Sequence, residues 1–338
     1  MKDNKFKRTF FGVFGIQIIS FIAFMFVQSA WGDETTVLQG NVRFKLGIQG
    51  HGIKYFVSVN DILVFKQYSS DRQDNLELPI NHLMHPEQSQ FKVWGGTGDK
   101  FPAGGSVKLT LIIEDRDSGA SYKLPILELN GNEVYDNKDL NGILKNGRYH
   151  LATNNKIEFG VGEIELKSII KNEFHSKDVF IYSRQISAPN QLPLWAFFNS
   201  ETLPDYRSMS REELIESRKE LFLAYKVIQD GLEKGDVDSI MPLFTERNKE
   251  LDIAFGYESG EMERLLRNYL NRALNEPNWK LEKRTGEGMS IFLEDNKRIV
   301  SLVRSKKSDI LGFTTPSNMF YSLTIKFRRE NGKWIITR

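Results

Sequence analysis

Val42-Arg43-Phe44-Lys45-Leu46-Gly47-Ile48 is the stretch that decides how this chain is read. Apolar residues at 42, 44, 46 and 48 alternate with Arg43, Lys45 and Gly47. A period of two puts every apolar side chain on one face, as in a strand with a core on one side and water on the other. The same grammar recurs outward from it. Phe56-Val57-Ser58-Val59 and Ile62-Leu63-Val64-Phe65 flank Asn60-Asp61, a pair suited to a tight hairpin turn. Leu76, Leu78 and Ile80 alternate, as do Phe91 and Val93, then Val107, Leu109, Leu111 and Ile113. Ile157–Val161 and Val179–Tyr182 are further strand-like runs. Turn residues separate the runs: Gly95-Gly96, Gly104-Gly105, Asp117-Ser118-Gly119, Asn130-Gly131-Asn132 and Asn146-Gly147. No helix-period segment interrupts them, so residues 33–186 are expected to form an antiparallel β-sandwich domain.

Within that domain, Val59-Asn60-Asp61 precedes an apolar strand. Pro79-Ile80-Asn81-His82-Leu83 then leads through a turn to the strand Phe91–Trp94. This order resembles the β-sandwich accessory modules of carbohydrate enzymes and related extracellular proteins. The likeness covers about thirty-five residues, from Val59 to Trp94, and Glu87-Gln88-Ser89 stands where those modules carry Gly-x-Asn.

Residues 187–208 read as a linker. Pro189, Pro193 and Pro204 break any periodic structure there. The same segment holds Leu192, Leu194, Trp195, Phe197 and Phe198. Such a cluster either packs between two domains or presents a patch to a partner. Trp195, Phe197 and Phe198, with Tyr225 beyond them, are the candidate binding residues.

The grammar changes at Ser210. Ser210-Arg211-Glu212-Glu213 has the form of a capping box, in which serine and glutamate satisfy each other's backbone N–H. Leu214, Leu221, Phe222, Tyr225, Ile228 and Leu232 follow at helical spacing, and Gly235 suits the helix end. Asp236 and Asp238 suit the start of a short second helix carrying Ile240, Leu243 and Phe244. A third helix is expected from about Glu261, ending before Pro277. Strands are then expected over Trp279–Lys283, Ser290–Leu293, Arg298–Val303, Phe320–Arg328 and Lys333–Thr337, the last pair joined by the hairpin turn Asn331-Gly332.

Helices first and a meander after, with Gly235-Asp236-Val237-Asp238, Leu243-Phe244 and Arg328-Arg329-Glu330-Asn331-Gly332-Lys333-Trp334, resemble the NTF2-like superfamily, including its SnoaL and ketosteroid-isomerase types. The likeness spans about residues 209–338 and implies an α+β cone. It says little about activity, because this fold carries enzymes, binders and scaffolds alike. In members that isomerise ketosteroids, the carboxylate base falls eight residues after the Leu-Phe phenylalanine, which here is Asp252. Their oxyanion-stabilising tyrosine falls at Ile228 here. The resemblance therefore implies a base without the donor that carries most of the electrostatic stabilisation. Asp252 also lies in the polar run Arg247–Asp252, which reads as a solvated helix face.

The first thirty-two residues read as an export signal. Lys2, Lys5, Lys7 and Arg8 precede the apolar run Phe10–Val27, and Ala30-Trp31-Gly32 offers small residues before a cut at Asp33. The run lies between the lengths of a cleavable signal and of a membrane span, so release and an uncleaved inner-membrane anchor both remain open. Either outcome exports the body, and a periplasmic location is expected. The chain has no cysteine. That excludes a lipid-anchored lipoprotein, disulfides, thiol catalysis and thiolate metal sites. The formal charge is +2, and the leader's four bases and one acid leave about −1 for the remainder. With no basic surplus, nucleic acid is not an expected partner.

Other chemistry reads weakly. His82 and His85 have a ligand spacing only on a helix, and Pro86 argues against one. Asp115-Arg116-Asp117-Ser118-Gly119 reads as a hairpin turn before it reads as a calcium loop. Gly95-Gly96-Thr97-Gly98 opens no helix and so offers no phosphate site. No metal and no cofactor is called for. The expectation is an exported binding protein of the bacterial envelope that recognises a protein or a small apolar ligand. Three alternatives stand beside it: an immunity protein neutralising a periplasmic toxin, an NTF2-like enzyme using Asp252 as general base, and an anchored structural component.

Overall fold

The structure is a computed structural model describing residues 42–95, 104–116, 119, 121–130, 164–171, 178–187, 192–282, 288–304 and 309–338. The leader 1–32, the run Ile157–Val161, Gly96-Thr97-Gly98, Asp117, His150 and His175 lie outside these residues. Among the described residues no helix is long and apolar enough to cross a membrane. The fold is mostly antiparallel sheet with a few helices.

The first half is made of strands. β1 (Val42–His51), β4 (Asp74–Pro79), β6 (Ser106–Asp115) and β7 (Ser121–Asn130) form one sheet in the order β4-β1-β6-β7. β2 (Tyr55–Val59), β3 (Ile62–Gln67), β5 (Gln88–Gly95), β8 (Ile164–Lys171) and β9 (Asp178–Ser187) form the other, in the order β3-β2-β5-β9-β8. Every pairing is antiparallel. The alternation read from 42–48 is present: Phe44, Leu46 and Ile48 are buried while Arg43, Lys45 and Gly47 are less so. One core collects Phe44, Leu46 and Ile48 from the first sheet with Val57, Val59, Phe91 and Val93 from the second. A shared core of this kind is compatible with a β-sandwich.

Polar side chains fasten the ends of these strands. Asn60 and Asp61 adopt left-handed φ of 49° and 62°, the geometry of a two-residue hairpin turn between β2 and β3. Asn60 also donates from Nδ2 to the Leu83 carbonyl at 2.6 Å and accepts from the Gln90 N–H at 2.8 Å. Asn81, in the 3₁₀ turn Asn81–Leu83, donates to the Val42 carbonyl at 2.9 Å and accepts from the Phe44 N–H. The Val59–Asp61 and Pro79–Leu83 segments therefore meet in space, which sequence spacing alone does not show.

The second half begins with α1 (Arg211–Glu233), α2 (Val237–Ile240), the 3₁₀ turn Met241–Phe244, α3 (Thr245–Phe255) and α4 (Glu261–Asn275). The capping box is in place. Ser210 Oγ accepts from the Glu213 N–H at 3.2 Å, and a Glu213 carboxylate oxygen accepts from the Ser210 N–H at 2.8 Å. Asp236 caps α2 by accepting from the Ser239 N–H. Gly235, at φ +68°, turns the chain out of α1.

Short strands follow. β10 (Lys280–Leu281), β13 (Gly312–Thr314) and β14 (Phe320–Ser322) pair in the order β10-β13-β14. β11 (Ser290–Leu293), β12 (Val300–Val303), β15 (Phe327–Glu330) and β16 (Lys333–Ile336) pair in the order β11-β12-β15-β16. Two expectations are corrected here. The run Phe320–Arg328 is not one strand: residues 323–326 interrupt it and its two pieces join different sheets. The strand Gly312–Thr314 was not anticipated, because three residues show no period. The Asn331-Gly332 turn is present, at φ 50° and 73° between β15 and β16. A second core unites Leu221, Tyr225, Ile228 and Leu232 of α1 with Leu266 and Leu270 of α4 and Val300, Leu302, Phe313 and Phe327 of the strands.

Candidate functional site

The segment read as a linker is built into both cores. Trp195 and Phe197 belong to the first core, while Leu203 and Tyr206 belong to the second. Trp195 is 1% exposed and Phe197 is fully enclosed. Trp195 Nε1 donates to the Asn81 carbonyl at 3.0 Å, giving the buried indole the partner it requires. Phe198 is partly buried and meets the His85 ring edge-on at 5.0 Å. The aromatic cluster therefore packs at the junction of the two halves and leaves little of Trp195 and Phe197 for a partner to reach.

Around these rings lies a polar junction. Glu250 of α3 accepts from the Ala196 N–H at 2.6 Å and from Arg338 Nη1 at 2.7 Å. Arg338 Nη2 reaches back to the His82 carbonyl at 2.7 Å, and its guanidinium lies 4.7 Å from the Phe197 ring centre. Glu294, 2% exposed, accepts from Lys326 Nζ at 2.6 Å and from the Leu63 N–H at 2.9 Å. Leu63 lies on β3, the edge strand of its sheet, so a carboxylate from the second half covers an edge N–H of the first. Lys92 of β5 pairs with Asp295 at 3.1 Å and also with Asp61. Three of these contacts, Arg338 to His82, Glu294 to Leu63 and Lys92 to Asp295, join residues more than two hundred positions apart.

Desolvation and neighbouring cations set the electrostatics of the junction. His82 Nδ1 is buried without a partner among the described residues. Burial first, then Arg338, Arg247 and Lys326, push the His82 imidazole well below the usual histidine range. Arg247 is held down to about 10, chiefly by burial and then by Arg338.

The remaining candidates have structural partners. Tyr225 is buried in the second core; its hydroxyl donates to the Ile325 carbonyl at 2.6 Å and accepts from the Leu302 N–H at 3.3 Å. Burial pushes its phenol far above the usual tyrosine range. Asp252 is 5% exposed, which corrects its reading as part of a solvated helix face. One carboxylate oxygen accepts from the Gly260 N–H and the other from the Met262 N–H, both at 2.8 Å. Gly260 is the N-cap of α4 and has no capping side chain of its own. Asp252 supplies that cap from eight positions upstream. Ile228, at the place of the isomerases' oxyanion tyrosine, is fully buried in the second core.

His82 lies in the 3₁₀ turn and His85 just beyond it, so they share no helix face. Among the described residues no group of three or more His, Asp or Glu is placed to hold a metal ion. Glu250, Glu294 and Arg247 lie in ordinary polar runs and Arg338 follows the apolar strand residues Ile335 and Ile336, so none stands out in the sequence. Only the tertiary fold brings them together. Comparison with family models, curated proteins and solved structures found no match for this chain.

Proposed function

We propose that the chain is an exported, non-catalytic binding protein of the bacterial envelope, acting on a protein or a small apolar ligand in the periplasm. In this reading an N-terminal β-sandwich is fused to a C-terminal NTF2-like domain. The observation that carries it is the state of Asp252. Both of its oxygens already hold the start of α4, and Ile228 offers no donor where an oxyanion would form. Both oxygens of that carboxylate are committed to a structural cap and the group is 5% exposed, and the larger electrostatic contribution to such catalysis is missing. The bonds that tie the two cores together suit a surface presented to a partner.

The test is direct. The mature chain, beginning at Asp33, should be found in the periplasmic fraction by intact mass. It should form a complex of fixed stoichiometry with one envelope component, measured by light scattering after chemical cross-linking. Turnover of a ketosteroid that disappears in Asp252→Asn, with the fold intact, would overturn the reading in favour of an enzyme.

A further inference from the structure

Two guanidiniums and a neutral imidazole meet where α3 passes the turn at Asn81–Leu83. Arg338 lies between Glu250 and the His82 carbonyl, against the Phe197 ring. The Phe255 ring lies 5.3 Å from the His82 ring. Arg247 is three residues before Glu250, on the same face of α3. It gives Nη1 to the neighbouring Asn248 Oδ1 at 2.9 Å.

One of the cations here is left out of the ion pairs. Glu250 answers Arg338, Glu294 answers Lys326, and Glu246 with Glu330 answers Arg328. No described carboxylate is paired with Arg247. Several donors are unanswered as well. Arg247 Nε, Arg338 Nε and Asn248 Nδ2 are buried with no acceptor among the described residues. Asn248 is 2% exposed, so its amide has little access to bulk water. Buried N–H groups are ordinarily satisfied, and several unsatisfied ones beside an unpaired cation form the complement of an anion.

We propose that Arg247, Asn248, Arg338 and His82 form a binding site for a small carboxylate. Arg247 is the one cation of this group without a carboxylate partner among the described residues, which matches a monoanion; Glu250 and Glu246 would oppose a second negative charge. The Phe197 and Phe255 rings suit an acid with an apolar body. Arg247 is partly exposed and gives the site its opening to solvent. The site is independent of the export and partner readings above.

Sodium acetate titrated against sodium chloride at constant ionic strength, followed by proton–nitrogen NMR of the full chain, tests it. Acetate should move the Asn248 side-chain amide saturably, and inorganic phosphate should do so no more strongly. Loss of one charge-assisted bond in Arg247→Gln should weaken acetate binding by about tenfold or more. Arg264→Gln, which removes only an exposed partner of Glu261, should leave it unchanged. An Asn248 amide that acetate does not move, or moves no more than chloride does, overturns the proposal from the wild-type chain alone. So does an acetate response that survives in a folded Arg247→Gln.

Discussion

The two halves of this molecule reach a core by different routes. In the first, β1 and β6 are each ten residues long and pair along their full length, so alternation sets most of the side chains that point inward. In the second, strands are two to four residues long, and all four residues of β12 are buried, Ser301 among them. A strand covered on both faces has no period to show. What orients it is a polar side chain: the Tyr225 hydroxyl bridges the Leu302 N–H and the Ile325 carbonyl, fixing α1 against the sheet. Long strands let hydrophobic pattern specify packing, whereas short buried ones pass part of that task to hydrogen bonds that cross between elements.

Three substitutions probe that contrast. Trp195→Ala removes the largest side chain shared by the linker and the first core, together with its bond to Asn81, and should cost about 3–5 kcal/mol. Urea unfolding followed by tryptophan-independent circular dichroism should show the loss. A cost below about 1 kcal/mol would mean that the halves do not depend on this junction. Glu294→Gln keeps an acceptor for the Leu63 N–H but leaves Lys326 without its charge partner, and about 1.5–3 kcal/mol should be lost. Its particular signature is faster hydrogen exchange at Leu63, on the far side of the junction. Tyr225→Phe tests the second core alone. It leaves a buried N–H and a buried carbonyl unpaired, at about 1–3 kcal/mol, with no change in exchange at Leu63.

The same contrast explains how much the sequence revealed. The strands of 42–115, the Asn60-Asp61 and Asn331-Gly332 turns, the Ser210 capping box and the helix from Glu261 were all legible, because each is written in neighbouring residues. Gly312–Thr314 and the break at 323–326 were not, because they depend on which sheet receives each piece. Asp252 was misjudged for a related reason. Its neighbours Arg247, Asn248, Lys249 and Glu250 are polar, yet the groups that bury it, the N–H groups of Gly260 and Met262, arrive from the next helix. The junction formed by Glu250, Arg338, His82 and Glu294 was invisible to any local pattern. Trp195 and Phe197 signalled that something apolar happens there, but not that a buried ionic network surrounds them.

The smallest effect expected is also the most specific to the junction. His82 is held uncharged by burial and by the repulsion of Arg338, Arg247 and Lys326. Its folded-state pKa therefore lies below that of the unfolded chain, near 6.5. Between those two values the unfolded state binds the extra proton and the folded state does not, so stability rises with pH. As pH falls below about 6.5 the protein should lose up to about 1.4 kcal/mol per pH unit from this one group, and nothing from it above that point. Urea unfolding at pH 7.5 and at 5.5 measures the difference. His82→Gln should flatten that part of the profile. A slope unchanged in His82→Gln would show that the junction is not where acid acts. It would also remove the electrostatic distinction between the junction and the strand-built core beside it.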